Sequence, residues 1–147
     1  MNAIGESSHP SVGVKLLDRD HGYLEEILRE IQFRAAAGFA SGQAGVMLRK
    51  LAAHMRQHFA LEEGMMLATR FPGTALHRLQ HQLLLDEIDA LATHRGRTAL
   101  ERNAQLLSLL AASHHTHIGS ADLDYGLWLH ATRPQHSDVA SAALIDL

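Results

Sequence analysis

Apolar residues recur at helical spacing through four stretches of this chain, and no β-branched run alternates with a period of two, so helices are predicted and strands are not. Leu24, Ile27, Leu28 and Ile31, with Glu25, Glu26, Arg29 and Glu30 opposite, predict an amphipathic helix over about 18–36. Asp18 is placed to cap it, its carboxylate accepting a free first-turn amide. The glycines of GFASGQAG then break the pattern. Val46, Leu48, Leu51, Met55, Phe59, Met66 and Leu67 predict a second helix over about 43–69, ended by Phe71-Pro72-Gly73. Leu76, Leu79, Leu83, Leu84, Ile88 and Leu91 predict a third over about 75–94. Leu100, Leu106, Leu107, Leu109 and Leu110 open a fourth over about 98–133, closed by Pro134. Residues 1–17 read as an irregular arm and 134–147 as a short tail. Four such helices with short connections predict an all-α, up-down-up-down four-helix bundle forming one domain over 1–147. The core of such a bundle is a normal place for a metal site built from facing helices.

With 147 residues and 16.1 kDa, the chain can bury a core without disulfide or metal staples. Its 13 basic and 16 acidic side chains leave a net charge of −3, which argues against an extended nucleic-acid surface. Cysteine is absent, which excludes disulfides, thiolate zinc sites, iron–sulfur clusters and cysteine nucleophiles. Any metal must sit on nitrogen and oxygen. The first residues lack the positive start and apolar run of a secretory signal, and no stretch reaches the ~20 apolar residues of a membrane helix. A cytoplasmic protein without membrane insertion is the expectation. The outlying count is histidine, 12 of 147. Neutral imidazole is both the commonest metal ligand and the usual acid or base near pH 7.

Three pairs stand out. His58 and Glu62 are four apart on the second predicted helix, and His77 and His81 are four apart on the third, so each pair shares a helix face. His117 and Asp122 are five apart, which puts them ~140° away from each other on a straight α-helix. Either the helix is distorted near Gly119, by the glycine or by a π-bulge, or the pair is accidental. Any one pair fits a solvated helix face. Three on different helices, amid core-facing apolar residues, call for a shared partner, because buried imidazoles and carboxylates are costly without one. A metal centre supplies it.

The joint order of residues resembles the hemerythrins, specifically the bacterial kind. The resemblance runs from Val12-Gly13-Val14 and Leu17-Asp18-Arg19-Asp20-His21-Gly22-Tyr23-Leu24 through His58-Phe59-x-x-Glu62-Glu63-x-x-Met66, Phe71-Pro72-Gly73 and His77-x-x-x-His81 to His117-Ile118-x-x-x-Asp122-x-x-Tyr125. It covers roughly residues 12–130. It implies a non-haem centre of two iron ions with a bridging oxo or hydroxo group. His77, His81 and His117 would hold one iron, His21 and His58 the other, and Glu62 and Asp122 would bridge them. Two six-coordinate metals offer about twelve positions, of which this set fills about eleven, leaving about one open on the iron with two histidines. In the family O2 binds there, taking its electrons from the irons and its proton from the bridge. Phe59 and Met66 match family positions in the oxygen pocket, where ordinary core packing is an equal reading.

Two positions depart from the family. Where a tryptophan and a leucine usually wall the pocket, this chain has Ser113 and His114. Turned by about −40° and +60° from His117, both can face the core side, Ser113 leaving a space and His114 placing a titratable donor near the open position. The alternative is that His114 swings out beside His115. His9, His94, His130 and His136 read as solvated surface, as does His54 one turn before His58. Glu63 reads as a surface charge or as an acceptor behind a ligand.

The expected function is reversible O2 binding for storage, delivery or sensing rather than catalysis, with O2 as ligand and a separate protein partner if the protein delivers or signals. The alternative is a di-iron redox enzyme acting on peroxide, nitric oxide or ferrous iron. The Glu-x-x-His motif of ferritin-like oxidases occurs only as Glu6-Ser-Ser-His9 in the arm, which weakens that alternative.

Overall fold

The structure is a computed structural model and describes residues 10–38, 42–93 and 97–132. It is all-α. Helices α1 (Lys15–Ala37), α2 (Gln43–Thr69), α3 (Thr74–Thr93) and α4 (Arg97–His117) are followed by a π-helical turn (Ile118–Asp122) that leads directly into α5 (Leu123–Ala131). Each of α1 and α3 packs against both α2 and α4, which closes an up-and-down four-helix bundle. The predicted tail, His9, His94 and His136 lie outside the described residues.

A heptad-like stripe on each helix builds the core. On α1 it is Leu17, His21, Leu24, Leu28 and Ile31; on α3 it is His77, His81, Leu84, Ile88 and Leu91, both with alternating steps of four and three. The α3 stripe differs from the predicted one, since Leu76, Leu79 and Leu83 are 63, 57 and 56 % exposed. Apolarity alone misplaces the face because its first two core positions are held by histidines. Val46, Leu67 and Leu109, counted with the apolar stripes, are also exposed.

The fourth stripe explains the spacing of five. It runs Leu107, Leu110, His114, His117, then Asp122, Tyr125 and Leu129. A regular stripe would continue from His117 to Ala121 and bring Asp124 inward next. The π-turn inserts one residue, its i→i+5 bond visible as the Leu123 N–H donating to the Ile118 carbonyl, and every later core position moves by one. The single predicted helix over 98–133 is therefore three segments. Gly119 is not the steric cause, since a Cβ there would meet nothing closer than the Pro10 ring at 3.4 Å.

The arm also differs from expectation. Helix α1 starts at Lys15, with Val14 at the N-cap and no capping side chain. Asp18 lies inside the first turn, where its carboxylate accepts from the Ser11 hydroxyl at 2.7 Å and the Val12 N–H at 2.8 Å. That clamp presses Val12 and Val14 onto α5, where both are buried. The chains pass so closely that a Cβ on Gly126 would lie 1.9 Å from the Val12 carbonyl oxygen. His130, expected at the surface, is half-buried and donates from Nε2 to the Gly13 carbonyl at 2.8 Å.

Two apolar clusters result. One holds Leu24, Leu28, Ile31, Met55, Phe59, Leu84, Ile88 and Leu110 among others, and the second holds Val12, Val14, Leu17, Met65, Met66, Ile118, Tyr125 and Leu129. Along α1 and α2 a polar layer separates them. His21 lies between Leu17 and Leu24 on α1, and Glu62 lies between Phe59 and Met65 on α2.

Candidate metal centre

The polar layer gathers His21 from α1, His58 and Glu62 from α2, His77 and His81 from α3, His117 from the end of α4 and Asp122 from the π-helical turn, each at most 5 % exposed. Their ligand atoms form two groups, each with all members within 4.8 Å of one another: Glu62, His77, His81, His117 and Asp122 in one, His21, His58, Glu62 and Asp122 in the other. The two carboxylates belong to both.

The atoms divide cleanly. Glu62 Oε1 faces His77 Nε2, in close contact, and His81 Nε2 at 3.2 Å, while Glu62 Oε2 faces His58 Nε2 at 3.4 Å and His21 Nε2 at 4.0 Å. Asp122 Oδ1 lies 2.8 Å from His77 Nε2 and 2.9 Å from His117 Nε2, and Asp122 Oδ2 lies 2.9 Å from His21 Nε2. Each carboxylate thus offers one oxygen to each group. Although these separations are short, the Nε2 atoms of His58, His77, His81 and His117 and both carboxylates make no directed hydrogen bond. Buried polar atoms are normally paired, so groups aimed at common points without pairing fit cations there. The donor set, imidazole nitrogen and carboxylate oxygen, suits iron and similar borderline metals.

The far ring nitrogens of three of the five histidines are anchored, as suits metal-binding imidazoles. His58 Nδ1 meets Asp20 at 3.2 Å, His81 Nδ1 meets Glu63 at 2.9 Å, and His117 Nδ1 donates to Gln80 Oε1 at 3.0 Å. Glu63 is therefore the acceptor behind a ring, which its position next to Glu62 foreshadows. Asp20 and Gln80 were not singled out from sequence. Each supports a ring on a neighbouring helix, a relation that spacing along one helix cannot reveal.

Electrostatics without the metal reflect the crowding. Burial alone lowers the pKa of His58, but Asp20 and Glu62 more than offset it and raise it to about 9. His77 is likewise held at about 9 by Asp122 and Glu62 against its burial. Burial and the charge of Asp122 push Glu62 up, yet the imidazoles of His58, His77 and His81 bring it down to about 2. Asp122 is also held well below its ordinary value, burial being outweighed by His117, His21 and His77.

The four residues expected around the oxygen pocket separate. Phe59 stacks on His81 at 3.9 Å between centroids, nearly parallel. Met66 lies in the opposite apolar cluster, with Tyr125. His114 turns inward rather than toward solvent: it is 2 % exposed, its ring centroid lies 6.3 Å from that of His21, and its Nε2 has no hydrogen-bond partner. Burial, then the nearby charge of His21, lowers its pKa to about 3. Ser113 is half-buried on another flank, in an open groove between α3 and α4 with Gln80, Leu84 and His117, so the two positions do not share one wall. The 100° step between adjacent helical residues separates them. His54 is half-buried with its ring edge against Tyr23, and His115 is exposed.

Among the described residues no helix is long and apolar enough to cross a membrane. The bundle with its buried histidine and carboxylate cluster resembles a hemerythrin-type di-metal site. No protein-family model, curated protein or solved structure matches the chain, so the likeness rests on these residues and their geometry.

Proposed function

We propose that the chain holds two iron ions and binds O2 reversibly, for storage, delivery or sensing. The observation that carries this reading is the division of Glu62 and Asp122, each with one oxygen toward a three-histidine group and one toward a two-histidine group. On this reading His77, His81 and His117 hold one ion, His21 and His58 hold the other, and the carboxylates bridge. A ferrous pair would supply the electrons for O2 binding and recover them on release. The protein's part is to fix the rings through Asp20, Glu63 and Gln80, to keep unequal ligand counts on the two sides, and to enclose the layer between two apolar clusters that limit water. The partner to which oxygen would be delivered, and a cytoplasmic location, belong to the same proposal.

A second reading, redox turnover of peroxide, nitric oxide or ferrous iron, is favoured by one feature. The buried His114 puts a polar nitrogen beside the two-histidine group. The two readings part in a single experiment. Anaerobic ferrous protein is exposed to air and then to lowered O2 pressure while its visible spectrum is followed. An absorption band that appears with O2 and disappears when O2 is removed supports binding, and irreversible passage to ferric protein supports turnover.

A further inference from the structure

Between α1 and α4 a cleft of about 240 Å³ is lined by Glu25, Leu28, Arg29, Ala111, His114 and Ile118, among others. His114 therefore links the cleft to the polar layer. It lines the cleft on one side and stands edge-on to His21 on the other. Its buried Nε2 has no protein partner, and a neutral imidazole left so pays a desolvation cost unless something occupies the position opposite. It is not itself a member of either ligand group, so it does not complete the metal set. Of the two groups it adjoins the one containing His21, which has fewer histidines.

We propose that His114 is a positioning residue that donates its Nε2–H to a small exogenous ligand on the two-histidine side, a diatomic or triatomic molecule ending in a hydrogen-bond acceptor. This rests on the di-iron reading above. The buried Nε2, without a protein partner, is the available donor, and the ring's centroid lies 6.3 Å from that of His21, a member of the two-histidine group.

Azide is a suitable probe, being small, anionic and an acceptor. Wild type, His114→Leu and His114→Gln are loaded with iron, oxidised and titrated with azide, with iron content and the infrared azide stretch recorded for each. The expected results are unchanged iron content in both variants, about tenfold weaker azide binding and a shifted stretch in His114→Leu, and partial recovery of both in His114→Gln, which keeps an N–H donor. Azide affinity and stretch identical to wild type in His114→Leu would overturn the assignment of His114 alone. Wild-type protein that takes up no iron would instead overturn the di-iron reading itself.

Discussion

Three imidazoles in the layer, those of His58, His81 and His117, are oriented by what holds the far nitrogen. His81 rests on a carboxylate and His117 on a neutral amide, so the first is the stronger electron donor of the two. Glu63 also meets Arg78 at 3.2 Å, which fixes it in place. Glu63→Gln should preserve the fold and lower iron affinity about tenfold or more, since supporting partners of metal ligands carry effects of that size. A competition titration against a chelator measures it, and unchanged affinity would mean that packing on Phe59 alone sets the His81 ring. Glu63 was legible as a candidate because it adjoins Glu62, whereas Asp20 and Gln80 act across helices and leave no periodic trace.

The π-turn is an element-scale device. It shifts the stripe by one residue, so Asp122, Tyr125 and Leu129 face inward where an uninterrupted helix would present the residues before them. Deleting Gly119 should therefore be tolerated. It leaves His117 and Asp122 four apart, returns the stripe to regular spacing and removes no side chain from the core. Circular dichroism and iron analysis should show a folded protein that retains most of its iron; loss of iron with the fold intact would show that the wide turn itself aims Asp122. The crossing of the arm over α5 is the opposite case. Gly126→Ala drives a Cβ into the Val12 carbonyl, backbone that cannot yield easily, and should destabilise the protein by about 1–3 kcal/mol in denaturant unfolding. A change within ~0.5 kcal/mol, the scale of ordinary surface substitutions, would mean that the arm is loosely held. The helices were legible from periodicity, but the arm's contact was not, because Val12 and Val14 lie in an irregular segment whose burial depends on a distant glycine.

For the molecule as a whole, the charges of the metal layer set the response to pH. In metal-free protein His58 and His77 have pKa values raised to about 9, so their contribution to stability is complete below the ordinary 6.5 and fades as pH rises through about 9. Glu62, lowered from 4.5 to about 2, contributes above the ordinary value and loses its contribution as pH falls through about 2; Asp122 acts in the same direction. His114, kept neutral by burial with its pKa lowered to about 3, contributes fully above the ordinary 6.5 and loses that contribution as pH falls toward about 3. Thermal melts of the metal-free protein should therefore be highest near 6.5 and decline on both sides. Metal must displace the imidazolium protons, so ferrous affinity should keep climbing with pH to about 9. Affinity that levels off at 6.5 would show that neither ring is protonated in the metal-free fold.

The bundle and the pairs His58–Glu62 and His77–His81 were readable because helical spacing converts directly into a shared face, whereas His21 entered only through the family resemblance and His117 with Asp122 needed the π-turn to share one. The true face of α3 was obscured because histidine counts as polar until its partners are known. The central claim is that these groups hold a bridged pair of metals. Its most direct test is anaerobic iron loading followed by Mössbauer spectroscopy of the oxidised, iron-57-enriched protein, beside Asp122→Ala. The account predicts about two irons per chain in wild type, spin-coupled through their bridge, and loss of much of that iron when Asp122 is removed. One magnetically isolated ferric ion per chain, or full iron content in Asp122→Ala, would contradict it.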